Sequence, residues 1–309
     1  MFDDNYRHYS KMWESPFRFY HGKNHLDAML SQIDKDNVRL LYFALFHDIV
    51  YFPGASDNEE RSANFFIEQK DRFDELTNED VDAIVKMILA TKNPFGAYSA
   101  SVAEAVRLDT AILYSSMKDL MEYERLIFKE YQKFSVEEYR RGRLFFLNRC
   151  KANGAIGCGT LAEIVASREY NIGIYAGSFN PFHIGHLDIL RKAERIFDKV
   201  ILVQAANPMK GSNSYSLPKT LPNEKIEHSG LIIDLFSKND KNKYTLIRGL
   251  RSTVDVPDEM NYQSWVTEIK PGIEFVHIFG DRCNEKLSSS VIRSMADIEG
   301  FDVGKYIVR

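Results

Sequence analysis

The spacing of apolar residues divides the chain in two. Over roughly the first 150 residues they recur at helical intervals, and no strand alternation appears. Val38 to Phe46 is apolar almost all round, which predicts a buried helix. Asn58 to Gln69 opens with acidic residues and carries a stripe of Ala63, Phe66 and Ile67, the polarity a helix dipole prefers. Asn78 to Thr91 begins with a capping signal and sets Val81, Ile84, Val85, Ile88 and Leu89 at helical spacing. Two more helices are predicted over Glu122 to Tyr131 and Val136 to Asn148. From residue 171 the texture changes. Short β-rich runs at 172–176, 200–205, 244–248 and 273–279 alternate with helical stretches, which predicts a parallel sheet with helices on both faces. Between the halves, Lys151 to Gly159 is glycine-rich and reads as a linker; Thr160 then caps a short helix from Leu161 to Arg168. The expected organisation is an all-α domain at 1–150, a linker at 151–169 and an α/β Rossmann-like domain at 170–309.

A chain of 309 residues with 44% hydrophobic content has material for two cores. Its formal charge of −4 argues against a protein that coats nucleic acid. Three cysteines (Cys150, Cys158 and Cys283) make no disulfide framework, and Cys150 and Cys158 are too far apart for a metal knuckle. The first residues lack the layout of a signal peptide, and no apolar run is long enough to span a bilayer. These features predict a soluble, cytoplasmic protein with neither nucleic acid nor membrane as partner.

The densest chemistry lies between the apolar run 172–176 and the amphipathic run that starts at Leu187. Gly177-Ser178-Phe179-Asn180-Pro181-Phe182-His183-Ile184-Gly185-His186 is a small-residue turn leading into a helix that opens with two histidines. Backbone N–H groups at such a helix start face anions. Glycines let the main chain approach a ligand. The imidazoles donate to phosphoryl oxygens as charge builds during transfer. Four further blocks follow in order: Asn207-Pro208-Met209-Lys210; Arg248-Gly249-Leu250-Arg251 after an apolar strand; Asp255 and Glu259; and Leu287-Ser288-Ser289-Ser290-Val291-Ile292-Arg293.

Together these blocks resemble the HxGH nucleotidyltransferases, and among them most closely the phosphopantetheine adenylyltransferases, over residues 170–309. The resemblance implies transfer of AMP from ATP, bound with Mg2+, to a phosphorylated small molecule, with 4′-phosphopantetheine favoured and pyrophosphate released. Carried over by motif, Ser178, Phe179, His183, His186, Gly249, Arg251, Glu259 and Ser288 to Ser290 hold the nucleotide. Ser178, Lys210 and Arg248 hold the acceptor. His186, Lys210 and Arg251 serve catalysis, and the enzyme is a homo-oligomer. Three features depart from the pattern: His183 stands where threonine is usual, Asp255-Val256-Pro257-Asp258-Glu259 lacks two aromatics, and only Gly211 to Ser229 fills the place of a longer helical segment. They keep open a nicotinamide-mononucleotide or other nucleotidyltransferase, and a nucleotide-binding sensor without turnover.

The helical half carries a second constellation. His21 and His25 are spaced i, i+4, which predicts two imidazoles on one helix face. His47-Asp48 ends the buried helix, and Asp109 offers a carboxylate from a later one. Imidazoles with carboxylates suit Mn2+, Fe2+, Zn2+ or Ni2+, and such an ion turns bound water into a nucleophile for phosphoesters. The order Tyr-His-x-x-x-His, Phe-His-Asp, Asn-Glu-x-x-Ser-Ala resembles a branch of the HD superfamily of metal-dependent phosphohydrolases. The resemblance implies His25 or His21, His47, Asp48 and Asp109 as ligands, with Glu59 and Glu60 orienting water. Here Thr91-Lys92-Asn93 stands where related sequences have Thr-Lys-His, and Leu108-Asp109-Thr110-Ala111 replaces a double aspartate.

Overall fold

The computed structural model describes residues 2–15, 17–205, 215–236, 240–296, 298, 300 and 302–308. Its contacts separate two units: Met1–Tyr131 with Val136–Ser167, and Gln132–Ser135 with Arg168–Arg309. Among its described residues the first unit holds helices and no strand: α1 (Phe2–Tyr9), α2 (Lys23–Leu30), α3 (Val38–Phe46), α4 (Asn58–Gln69), α5 (Asn78–Ala90), α6 (Ala100–Asp109), α7 (Met117–Glu130), α8 (Val136–Ala152) and α9 (Gly157–Ser167).

Helix α3 is the axis of this unit. Every residue from Leu40 to Phe46 is buried, as an apolar circumference requires. Each such large side chain contributes on the order of 1.5–3 kcal/mol on leaving water. Around it pack Trp13, whose indole N–H donates to the Leu45 carbonyl at 3.1 Å, and the rings of Phe66 and Phe73, which meet Tyr42 of the helix. Thr77 and Asp80 form a reciprocal capping box at the start of α5, one residue before the expected cap. Helix α7 begins five residues earlier than its apolar spacing suggested, because the Ser116 side chain caps it by accepting from the Asp119 N–H.

The expected linker at 151–169 is corrected. Residues 151–167 belong to the helical unit; α8 runs on to Ala152 and α9 starts at Gly157. The glycines mark the turn between two packed helices: Gly154 sits at a φ of 94°, and Cys158, Leu161, Ala162 and Val165 are buried. Cys150 and Cys158 are free, buried thiols, while Cys283 is exposed.

The second unit is a five-stranded, wholly parallel sheet in the order β3-β2-β1-β4-β5, with β1 Asn171–Gly177, β2 Lys199–Ala205, β3 Lys225–His228, β4 Lys243–Leu250 and β5 Glu274–Phe279. Helices α10 (Ile184–Ala193), α11 (Val256–Ile269) and α12 (Ser289–Met295) complete it. The central strands β1 and β2 are buried on both faces, which explains their unbroken apolar runs. Strand β3 escaped the sequence reading because it is a four-residue edge strand, Lys-Ile-Glu-His, whose charges suit an edge and mask its pattern. Within the described part of the β2–β3 connection, residues 215–224, there is no helix. Strand order reverses between β1 and β4, and a crevice opens beyond their carboxyl ends.

One buried ion pair tests the helical core. Arg143 Nε donates to Glu124 Oε2 at 2.6 Å, the Tyr139 hydroxyl donates to Glu124 Oε1 at 2.6 Å, and both charged residues are buried. Glu124→Ala strands a buried guanidinium, so the helical unit is expected to lose about 3–5 kcal/mol. A denaturation midpoint equal to wild type contradicts this.

Candidate active sites

The crevice at the β1–β4 switch is a cleft of about 350 Å³. Its wall includes Ser178, Phe179, His183, His186, Arg248, Gly249, Arg251, Glu259 and Ser288 to Ser290, so these sequence-predicted residues share one cavity. Lys210, with Asn207 and Pro208, lies outside the described residues.

The start of α10 sets the chemistry of the two histidines. The His183 N–H donates to His186 Nδ1 at 3.2 Å, and the Gly185 N–H donates to His183 Nδ1 at 3.2 Å. A nitrogen that accepts from a peptide N–H carries no proton, so each neutral ring keeps its proton on Nε2. The rings stack with centroids 3.6 Å apart. Burial, then the charge of Arg251, lowers the His183 pKa to about 4. Burial, then His183, holds His186 well below the usual range. Both are therefore neutral N–H donors at pH 7. Capping the helix and serving the cleft are one arrangement here.

Two glycines give these rings room. A Cβ on Gly185 lies 3.1 Å from His183 Nδ1 and Cε1, and a Cβ on Gly177 lies 2.9 Å from the Phe179 ring. Phe179 itself holds a φ of 43°, a strained conformation for a non-glycine residue, with its ring 5.0 Å from that of His186.

The arginines differ from free cations. Arg248 grips Glu259 through Nε and Nη2, both at 2.7 Å, beneath the Tyr262 ring. Arg251 meets Asp255 at 3.1 and 2.6 Å. The acidic pair on and before α11 thus fixes both guanidiniums in the cleft. The serines have partners as well. Ser288 Oγ accepts from the Val291 N–H as a helix cap, and the Ser289 hydroxyl donates to the Pro181 carbonyl. Arg293 donates to the Asn180 carbonyl. Of the three serines expected to face a phosphate, Ser288 thus uses its hydroxyl oxygen to cap α12, and Ser289 uses its hydroxyl to hold the histidine turn. The structure adds Tyr175, Asp281 and Asn284 to the wall. The segment after β5 offered no motif, only its place at a strand's carboxyl end.

In the helical unit, His25, His47 and Asp109 each offer a donor atom, all within 4.8 Å of one another. His25 Nε2 lies 3.2 Å from Asp109 Oδ1. His47 Nδ1 donates to the Ala44 carbonyl at 3.0 Å, leaving Nε2 buried with no hydrogen bond, 3.4 Å from Asp109 Oδ1 and 3.6 Å from Asp48 Oδ2. Burial opposes a charge on His47, but Asp48 and Asp109 prevail and lift its pKa to about 9. For His25 burial wins, and its pKa falls. An orphaned imidazole nitrogen facing two carboxylates is a donor set that fits a divalent transition cation.

The other expected members have partners of their own. His21 precedes α2, whose cap is Gly22, so it shares no helix face with His25; its Nδ1 bonds Glu130 Oε2 at 2.7 Å. Glu60 pairs with Lys92. Glu59 is half-buried, and burial followed by Asp48 raises its pKa. The remaining polar residues of that motif are structural: Asn58 exchanges two hydrogen bonds with Phe52, and Ser62 two with Val50, pinning the loop after Asp48. Glu130 was invisible to the sequence reading because it ends an amphipathic helix among ordinary charged residues.

The sequence profile of the cytidylyltransferase-like family matches residues 174–295. A phosphopantetheine adenylyltransferase of Mycoplasma capricolum is 36% identical over 133 residues, 40% of this chain and 95% of that protein. Those of Clostridium kluyveri and Wolbachia pipientis are 34% and 32% identical over 137 and 146 residues, covering 82% and 86% of their own lengths and 41% and 44% of this chain. Among the described residues, no helix is long and apolar enough to cross a membrane.

The depressed His183 pKa has a sign. Between its ordinary value of 6.5 and about 4, the unfolded chain binds a proton that the folded ring refuses. Stability of the second unit is therefore expected to fall as pH drops through that window. His183→Asn keeps a capping oxygen without a titrating ring, so it flattens the dependence of the denaturation midpoint on pH. An unchanged slope contradicts the assignment.

Proposed function

Since the chain belongs to the cytidylyltransferase-like nucleotidyltransferase family, we propose that its second unit transfers AMP from ATP to a phosphorylated small molecule, 4′-phosphopantetheine foremost, releasing pyrophosphate. The observation that carries this reading is the convergence of two Nε2–H imidazoles and two guanidiniums on one cleft. The relatives' names support the acceptor.

An oxygen of the acceptor phosphate attacks the α-phosphorus of ATP. The new P–O bond forms as the bond to the bridging α–β oxygen breaks, and that electron pair leaves with pyrophosphate. No residue need act as nucleophile, so catalysis is positioning plus charge stabilisation. His186, with His183 stacked on it, donates from Nε2 to oxygens that gain charge in the pentacoordinate state. Arg251 and the turn at Ser288–Ser290 hold the nucleotide alongside Ser178, Phe179, Gly249 and Glu259. Arg248, held in place by Glu259, meets the acceptor phosphate with Ser178, and Lys210 is assigned to the same phosphate by its motif. ATP would enter as its Mg2+ complex, the ion supplying positive charge against the phosphates.

A second reading is favoured by the orphaned His47 nitrogen. We infer that the helical unit is an HD-type metal-dependent phosphohydrolase in which His25, His47, Asp48 and Asp109 hold a transition cation. The ion, when bound, supplies an acidified water for phosphoester cleavage.

Pyrophosphate release from ATP, measured with 4′-phosphopantetheine and nicotinamide mononucleotide separately, tests the first reading. Turnover is expected with the former, and His186→Ala is expected to lower kcat at least about 100-fold. Full activity in His186→Ala sinks the site assignment, and ATP binding without pyrophosphate from any acceptor points to a sensor. For the second reading, His47→Ala is expected to abolish hydrolysis of 4-nitrophenyl phosphate in Mn2+ while pyrophosphate release persists. Hydrolysis that survives the substitution counts against it.

A further inference from the structure

Glu130, the last residue of α7, is buried and satisfied by four donors: the Tyr20 N–H at 2.7 Å, the His21 N–H at 2.8 Å, His21 Nδ1 at 2.7 Å and the Tyr51 hydroxyl at 2.9 Å. Burying a carboxylate is costly unless its lone pairs are filled. Here the groups that fill them border the donor cluster. The Tyr20 ring lies 4.9 Å from that of His25, and the Tyr51 ring packs 4.4 Å from that of His21. Arg18 works from the same region, donating to the carbonyls of His21, Asp48 and Ile49 at 3.2, 2.6 and 2.9 Å. A carboxylate and a guanidinium thus fasten residues 20–21 and 48–51, the two segments that flank the cluster.

Holding a cation does not explain this investment in His21. Its ring centroid is 6.1 Å from that of His25, and it contributes no atom to the group of three donors. It also keeps a path to solvent. The His21 side chain is 20% exposed, against 6% for His25 and 1% for His47. Asp109 is also 20% exposed, so solvent reaches the group of donors, and His21 is the most open imidazole beside it.

We propose that Glu130 is a positioning residue that holds His21 as the substrate-facing imidazole of the helical unit. The ion pair with Glu130 lets the ring carry both N–H groups, Nδ1 bound to the carboxylate and Nε2 donating to a phosphoryl oxygen of a phosphate ester. This assignment rests on the cation reading of His25, His47, Asp48 and Asp109, and it removes His21 from the ligand set.

The test uses the full-length protein. Mn2+ binding is measured by calorimetry, and orthophosphate is then titrated into the Mn2+-loaded protein, for wild type, His21→Gln and Glu130→Gln. His47→Ala, which lacks the cluster, supplies the background from the second unit. The expected result is unchanged Mn2+ affinity in both variants with orthophosphate binding weakened at least about tenfold, the loss of one charge-assisted hydrogen bond. Mn2+ affinity lowered about tenfold or more by His21→Gln makes His21 a ligand oriented by Glu130 and overturns the proposal. Unchanged orthophosphate affinity overturns it too, leaving Glu130 a purely structural role. Should Glu130→Gln fail to fold, His21→Gln alone decides, since His21 lies outside any helix. A wild-type protein that binds no Mn2+ above the His47→Ala background removes the cation reading itself, and this assignment with it.

Discussion

Two hydrogen bonds at the start of α10 govern the second unit. By accepting from the Gly185 and His183 peptide N–H groups, the two imidazoles surrender Nδ1 to the backbone and retain their protons on Nε2. The rest of the cleft protects that arrangement. Gly185 leaves room for the His183 ring, Gly177 leaves room for Phe179, and Phe179 packs against His186. Ser289 and Arg293 then tie the preceding turn to α12 through the Pro181 and Asn180 carbonyls. Remove the glycines and the rings shift; remove the ties and the turn loses its support. Neutral, preorganised donors need no reorganisation when charge develops, the situation in which electrostatic stabilisation is most effective.

The helical unit solves a related problem by the same device. At His47 a backbone carbonyl takes the Nδ1 proton and leaves Nε2 turned to carboxylates. At His21 a buried carboxylate takes Nδ1. In each case the partner of one ring nitrogen decides what the other offers. The outcomes diverge because the neighbours diverge: peptide N–H groups make donors of His183 and His186, whereas at His47 the Ala44 carbonyl holds the Nδ1 proton and leaves Nε2 as the atom that faces Asp48 and Asp109.

How much of this was legible depended on the range of the interaction. Helix α3 and strands β1 and β2 were readable because burial on all sides writes an uninterrupted apolar run. The cleft residues were readable because the glycine-histidine turn and the Arg-Gly-Leu-Arg block are local in sequence. Strand β3 was not, since an edge strand of four residues carries charge where a pattern was sought. Nor was the pairing of Arg248 with Glu259 or of Arg251 with Asp255, which depends on where α11 starts. The i, i+4 spacing of His21 and His25 misled for a similar reason: Gly22 caps α2 between them, and Glu130, 109 residues from His21, draws that ring aside. Spacing speaks only for residues already known to share an element.

The central claim concerns where two protons sit, and a long-range 1H–15N correlation spectrum of the histidine side chains at pH 7 observes them directly. The account predicts that His183 and His186 both appear as neutral rings protonated at Nε2, with Nδ1 bare. Either ring found protonated at Nδ1, or as an imidazolium, contradicts it.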